Sequence, residues 1–409
     1  MVLHVGAPKT GTSFVQDLLF RSREQLAGLG TLYPADRFDA HFLAALDLME
    51  LPWGGLEHTA VGRWDRLATE VRAWPGDVVI SHEILATASR EQVARALSSL
   101  SGAPPGRQRE VHVVMSVRDL VRQIPAEWQE NVKHRRTLGY RDFLTQITDP
   151  ARATTVASWF WGVQEVPAIL DRWGATLPPE RVHVITVPKP GAPVNLLWER
   201  FAEVFGLDPD ALDATSDRSN PSLGVAETAL VRHLNERVNG GVLANEHYRE
   251  FVRELLAHRT LSRRTDAPRL RLPDDVRAWA VRLNDAWIEE LAQRGYQVIG
   301  SLDELRPDPL GDATDDPAAP AYLDPDDPPL DQLSDAALCS LVALLQQAAA
   351  LRVEVTDLHG EIARLHEELA QARREVGLSL RARRAVVSRA ETSRAGRVAL
   401  RVYRRARRR

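Results

Sequence analysis

The chain has 409 residues, an ordinary apolar fraction of 44%, a charged fraction of 26% and a formal net charge of −4. That length accommodates one sizeable domain with appendages. Its single cysteine, Cys339, excludes an internal disulfide framework or a multi-cysteine metal cluster and fits a reducing compartment. The small net charge conceals a polarity: from Leu378 onward twelve Arg stand against Glu391 alone, about +11, leaving about −15 elsewhere.

No charged and apolar leader opens the chain and no uninterrupted 18-residue apolar run occurs, so a soluble cytoplasmic protein is expected. Short β-branched runs at 2–5, 78–81, 111–117 and 182–187 read as strands. Between them lie stretches of helical period. One helix is expected to begin near Thr12, where Val15, Leu18, Leu19 and Leu26 share a face; others are expected over 152–173, 194–205, 224–238 and 274–294. The alternation predicts an α/β fold: a three-layer, P-loop-like parallel sheet covered by helices, over residues 1–300.

From 303 to 335 the texture changes to eleven acidic residues, seven Pro and one Arg, so residues 301–335 read as a flexible acidic linker. Beyond it, Leu341, Leu344, Ala348, Leu351, Val355, Leu358, Ile362, Leu365, Leu369, Ala372 and Val376 recur at steps of three and four. That spacing predicts a coiled coil over 336–377, and β-branched residues at a with Leu at most d positions favour a parallel homodimer. The Arg-rich tail, 378–409, alternates with Leu378, Leu380, Val386, Val387, Val398, Leu400, Val402 and Tyr403. An amphipathic helix lying peripherally on an anionic inner-membrane surface is the expected reading, rather than a nucleic-acid arm.

The strongest chemical signal is Gly6-Ala7-Pro8-Lys9-Thr10-Gly11-Thr12-Ser13, between a predicted strand and a predicted helix. Backbone N–H groups at a helix start, glycines that let the chain wrap closely, one lysine and two hydroxyls make a phosphate or sulfate cradle. A Walker A loop needs lysine where Thr12 stands, and the lysine here is Lys9, one of three in the chain against 49 Arg. Pro8 to Ser13 resembles the 5'-phosphosulfate loop, P-K-[ST]-G-[ST]-[ST], of sulfotransferases that use 3'-phosphoadenosine 5'-phosphosulfate (PAPS). The resemblance implies that Pro8, Lys9, Thr10, Gly11, Thr12 and Ser13 bind the donor, with Lys9 at the bridging oxygen as sulfate leaves.

The segment Val113–Arg118-Asp119 resembles the opening of that family's 3'-phosphate motif, placing Arg118 at a strand end, with Arg122 as a second cation. The serine the motif carries eight residues on is Ala126 here, and Pro125 is expected to interrupt the turn before it. Asn220-Pro221-Ser222-Leu223 resembles a short late segment of the family. The run 78–80 ends in Ser81-His82-Glu83, two titratable groups at a sheet edge. By the resemblance Glu83, or alternatively His82, is the catalytic base.

No metal-ligand spacing is present and the family needs no metal. The acceptor is expected to be a small molecule, glycan or lipid carrying a hydroxyl or amine, held by loops around 38–64 and 128–140. Trp128, Trp159 and Trp161 are candidates for core or acceptor platform. Alternatives are a P-loop kinase or nucleotide triphosphatase, disfavoured by Thr12, and a non-catalytic coiled-coil adaptor with a degenerate nucleotide domain.

Overall fold

Six short strands, β1 (Val2–His4), β2 (Thr31–Leu32), β3 (Asp77–Ser81), β4 (His112–Val117), β5 (Val182–Thr186) and β6 (Gln297–Ile299), pair in the order β2-β3-β1-β4-β5-β6. Every pairing is parallel, with Leu3 opposite Ile80 on one side and Val113 on the other. The structure is a computed structural model that describes residues 1–101, 109–214, 222–307 and 322–406. Strands buried on both faces read as continuous apolar runs, which is why β1, β3, β4 and β5 are visible in the sequence. β2 and β6, of two and three residues, lie at the edges of the sheet and are only partly buried, so they carry no apolar run.

Helices cover both faces. Those the site depends on are α1 (Thr12–Arg21), α2 (Ala40–Met49), α3 (Leu120–Lys133), α4 (Thr155–Gln164), α5 (Val166–Trp173), α6 (Leu196–Phe205), α7 (Val225–Val238) and α8 (Asp274–Gln293). Val15, Leu18 and Leu19 of α1 and Trp198, Phe201 and Phe205 of α6 bury against Val2, Val79, Val114 and Ile185 of the sheet. Deleting one of these fully buried side chains to Ala would cost about 2–5 kcal/mol.

Two expectations are corrected. The helix expected over 152–173 is two helices, because Pro167 at the start of α5 cannot donate into the preceding turn and Glu165 leaves helical geometry at ψ 81. Conversely, Pro125 does not interrupt α3, which stays helical across it after Asp119 caps its start by accepting from the Arg122 N–H.

The first compact unit runs from Met1 to Ser340, past the boundary expected near 300. The acidic stretch is described again from 322, and there it is anchored rather than free. Asp326 accepts from the N–H groups of Tyr140 (2.9 Å) and Arg141 (2.8 Å), and Asp324 pairs with Arg141. Arg264 bridges Asp335 at 2.7 Å and donates to Cys339 Sγ.

A 62-residue helix, α9 (Leu330–Glu391), and a shorter one, α10 (Arg394–Ala406), complete the chain. Residues 341–409 form the second unit. Within α9 an 18-residue window reaches a mean hydropathy of 1.6, enough by length and composition alone to cross a membrane. Ser340, Gln346 and Gln347 break the apolar run there, which is why run length alone passed over it.

Candidate active site

β1 ends against β4 through Ala7, whose N–H donates to Ser116 O at 2.8 Å, and the chain then turns through 8–13 into α1. Lys9 (φ 61) and Gly11 (φ 89) hold left-handed backbone in that turn. A Cβ on Gly11 would also lie 2.4 Å from Leu197 Cδ2 and push that side-chain tip aside, but it is the left-handed φ that favours glycine here. Gly11 is the cap residue and no side chain caps α1, leaving the first amides of the helix directed at the space before it.

Thr10 is buried and does not face that space. Its hydroxyl donates to Ala7 O at 2.5 Å and lies 2.5 Å from Ser116 Oγ, stapling the loop to β4. Thr12 is buried and Ser13 exposed at the head of the helix.

Behind the loop a polar chain crosses three strands: Ser81 Oγ to His4 Nδ1 (2.7 Å), His4 Nε2 to Ser116 Oγ (3.1 Å), Ser116 Oγ to Thr10 Oγ1. Thr10 spends its proton on Ala7 O, and Ser116 has Thr10 and Gly6 O as acceptors. His4 therefore donates from Nε2 and accepts from Ser81 at Nδ1, a neutral ring that burial holds down to about 4. His41 is buried in the same way: Nδ1 accepts from Ser81 N–H at 3.2 Å and Nε2 donates to Pro34 O, with burial holding the ring down to about 4.

At the end of β4, Arg118 donates from Nε to Gln123 Oε1 at 2.9 Å, while Gln123 Nε2 donates to Pro8 O at 2.6 Å. One amide thus ties the cradle to the candidate 3'-phosphate arginine. Burial and the neighbouring Arg122 lower Arg118 to about 10, against the pull of Asp119 and Glu127. Arg122 is clamped by Asp119 and its Nη2 is buried with no hydrogen-bond partner among the described residues, a donor to spare for an anion. Asn220 and Pro221 lie outside the described residues.

The Lys9 ammonium does not point into solvent. It pairs with Glu130 Oε2 of α3 at 2.8 Å, and Glu130 also meets His134 (3.1 Å) and Arg253 (3.4 Å). Burial acts to raise the Glu130 carboxyl, but Lys9, His134 and Lys133 hold it well below the usual range. One turn earlier Glu127 accepts from Gln164 at 2.9 Å, and burial pushes it up to about 7 despite Lys9 and Arg118. Lys133 falls to about 8 through burial and the charge of Lys9. Sequence reasoning missed Gln123, Glu127 and Glu130. Glu127, Glu130 and Lys133 recur at steps of three, but away from the apolar stripe of 121, 124, 128 and 132, where the pattern reads as an ordinary solvated face.

β3 delivers His82 and Glu83 to the opposite flank of the loop. Gln16 of α1 donates to Glu83 Oε2 at 2.7 Å. Burial acts to raise this carboxyl, yet His82, Gln16, its own backbone N–H and His4 outweigh it and leave it below the ordinary range, ionised at neutral pH. His82 Nδ1 accepts from Ile84 N–H at 3.3 Å, so its proton sits on Nε2, and burial lowers the ring's basicity. With Nδ1 accepting from Ile84 and the proton on Nε2, the neutral His82 ring has no free acceptor nitrogen, and Glu83 is the better placed proton acceptor.

Ser13, Gln16, Tyr33, Phe42, His82 and Glu83 are among the residues around a cleft of about 230 Å³ that also takes in Phe38, Asp39, His41 and Ser81. From it an aromatic series runs outward: His82 to Phe42 (5.2 Å), Phe42 to Trp53 (5.5 Å), Trp53 to Trp159 (5.5 Å). The 38–42 part of the first expected acceptor loop thus borders the cleft. Trp128 and Tyr140 instead pack on each other in the core at 4.8 Å, and Trp161 is buried with Nε1 on Ile147 O.

Among the described residues no group of three or more His, Cys, Asp or Glu is arranged to hold a metal ion. What the three strand ends assemble is an uncapped helix start between a paired lysine and an arginine on one side, and an ionised carboxylate with an aromatic-walled cleft on the other. No family model and no curated protein matches the chain. Among solved structures it is similar to a sulfotransferase from Alicyclobacillus acidocaldarius, at 20% identity over 53% of this chain and 85% of that one, with a TM-score of 0.37. An overlap at that score transfers no residue role.

Proposed function

We propose that the chain transfers a sulfuryl group from PAPS to a hydroxyl or amine of a small acceptor. The observation that carries this reading is the convergence of three motifs at adjoining strand ends: the 8–13 loop after β1, Arg118 after β4 and Glu83 after β3. Ligands of open parallel sheets bind at such carboxyl ends. Arg118, joined to the loop through Gln123, and the spare Nη2 of Arg122 suit a phosphate at a second position.

In this reading the cradle amides, Thr12 and Ser13 bind the 5'-phosphosulfate, and Arg118 with Arg122 binds the 3'-phosphate. The ring or apolar body of the acceptor rests on Phe42 and the series beyond it. Glu83 takes the proton from the acceptor oxygen or nitrogen as that atom bonds to sulfur and the sulfur–oxygen bond to the 5'-phosphate breaks. Lys9 and the loop amides stabilise the negative charge left on the phosphate oxygen. The products are the sulfated acceptor and adenosine 3',5'-bisphosphate, and the proton passes from Glu83 to water. In the ligand-free chain Lys9 is occupied by Glu130, so donor binding must compete for it.

Transfer itself is the test. The full chain, incubated with labelled PAPS, chelator and a panel of phenols, amines and sugars, is expected to release adenosine 3',5'-bisphosphate in step with a labelled acceptor. Retained binding of the bisphosphate with no turnover on any acceptor would favour the adaptor reading, and magnesium-dependent phosphate transfer from ATP would favour the kinase.

A further inference from the structure

The longest apolar surface outside the site lies along α9. Leu341, Leu358, Ile362, Leu365 and Leu369 are each about half exposed (52%, 54%, 50%, 49% and 49%), and their common face repeats every 3.5 residues. Setting Leu341 at position a places Leu, Ala, Val, Ile, Leu and Val at the a positions and Leu, Leu, Leu, Leu and Ala at d. The flanking positions carry further information. Position g reads Gln347, Glu354, Glu361, Glu368, Glu375, and position e reads Arg352, His359, His366, Arg373 over the same span.

We propose that the partner of this face is a second copy of the chain, parallel and in register. In a parallel pair each g residue meets the e residue of the following heptad on the partner helix. That geometry sets Gln347 against Arg352, Glu354 against His359, Glu361 against His366 and Glu368 against Arg373, four complementary contacts, with Glu375 against the apolar Leu380 at the end of the seam. An antiparallel pair sets g against g and e against e, which would stack glutamates on glutamates and basic rings on basic groups. β-Branched Val355, Ile362 and Val376 at a, with Leu at four of five d positions, favour two strands.

In the single chain Arg364 already pairs with Glu361 and Glu368 along its own helix. These exposed pairs are worth little, and the guanidinium's five donors allow it to share both carboxylates with a partner. Parallel pairing also brings two Arg-rich ends together. The like charge lies beyond Val376, where the seam stops, and is screened over roughly 8 Å at physiological salt.

Light scattering of the full chain is expected to give the mass of two copies. In a Cys339→Ala background, Leu344→Cys is expected to form a disulfide with its own copy on mild oxidation; in an antiparallel pair these positions would be roughly 40 Å apart at 1.5 Å per residue. A chain with Glu354→Lys, Glu361→Lys and Glu368→Lys should lose self-association. It should regain it on mixing with a chain carrying His359→Glu, His366→Glu and Arg373→Glu, which shows that both variants fold. A monomer at tens of micromolar, a trimer or larger assembly, a dimer that does not cross-link at 344, or a monomer that partitions into detergent through this helix overturns the proposal.

Discussion

Lys9 Nζ and Glu130 Oε2 stand 2.8 Å apart, so the one lysine of the 8–13 loop is neutralised by a carboxylate from the helix that follows Arg118. Both partners are about four-fifths buried, which makes the charge of Glu130 costly to an incoming anion. Glu130→Gln is expected to tighten binding of adenosine 3',5'-bisphosphate several-fold, and Lys9→Ala to weaken it at least tenfold. Calorimetric titration measures both. Equal affinity in wild type and Glu130→Gln would show that the pair does not oppose the ligand.

In the proposed reaction Glu83 takes the proton of the acceptor. Because general-base catalysis contributes roughly 10²–10⁴-fold, Glu83→Gln should lower kcat by at least about a hundredfold while leaving bisphosphate affinity unchanged. His82→Asn should cost less, since Nδ1 already accepts from Ile84 and Nε2 carries the proton, which leaves the ring no acceptor nitrogen. Steady-state kinetics of the two variants decide between the residues, and a larger loss at His82 would reverse the assignment.

Gln123 joins Pro8 to Arg118, so recognition of the two phosphates should be coupled. Arg118→Ala is expected to weaken adenosine 3',5'-bisphosphate by ten- to a hundredfold and to leave adenosine 5'-phosphate almost unaffected. Gln123→Leu should weaken both, because the loop and the arginine lose their common partner. Parallel titrations with the two nucleotides separate these effects.

His4 and His41 are neutral in the fold, each held near 4, against an ordinary value of 6.5. The unfolded chain binds protons at these rings first as pH falls, so their contribution to stability is complete above about 6.5 and is lost between there and about 4. Glu127, raised to about 7, acts in the opposite sense and adds stability as pH falls from about 7 toward its ordinary value of 4.5. His183 and His258 are likewise held near 4 by burial while Glu70 and Glu227 are raised, so the lowered histidines outnumber the raised carboxyls and a net loss is expected from pH 7 to pH 5. Urea midpoints at the two values should fall less for His41→Gln than for wild type, even if the variant is weaker at pH 7.

Much of this was legible in the sequence because it is local. The 8–13 loop, the strand end at Arg118 and the pair His82-Glu83 each sit at a change from apolar run to helix, and the folded chain brings all three to one edge. The contacts that decide how the site works are long-range and were not legible. Gln123 meeting Pro8 spans 115 residues and Lys9 meeting Glu130 spans 121, and no spacing rule connects them. Thr10 illustrates the converse: it matches the loop pattern as a ligand residue, yet its hydroxyl is spent on Ala7 and Ser116. Pro125 was misleading: it removes one N–H beyond the first turn of α3, yet the helix runs on through it to Lys133.

The most direct measurement is calorimetric titration of the full chain with adenosine 3',5'-bisphosphate and, separately, ATP, repeated with Lys9→Ala. The bisphosphate is expected to bind more tightly than ATP, without added metal, and the Lys9→Ala variant to lose at least tenfold of that affinity. No binding of the bisphosphate, or a preference for ATP that needs magnesium, would contradict it.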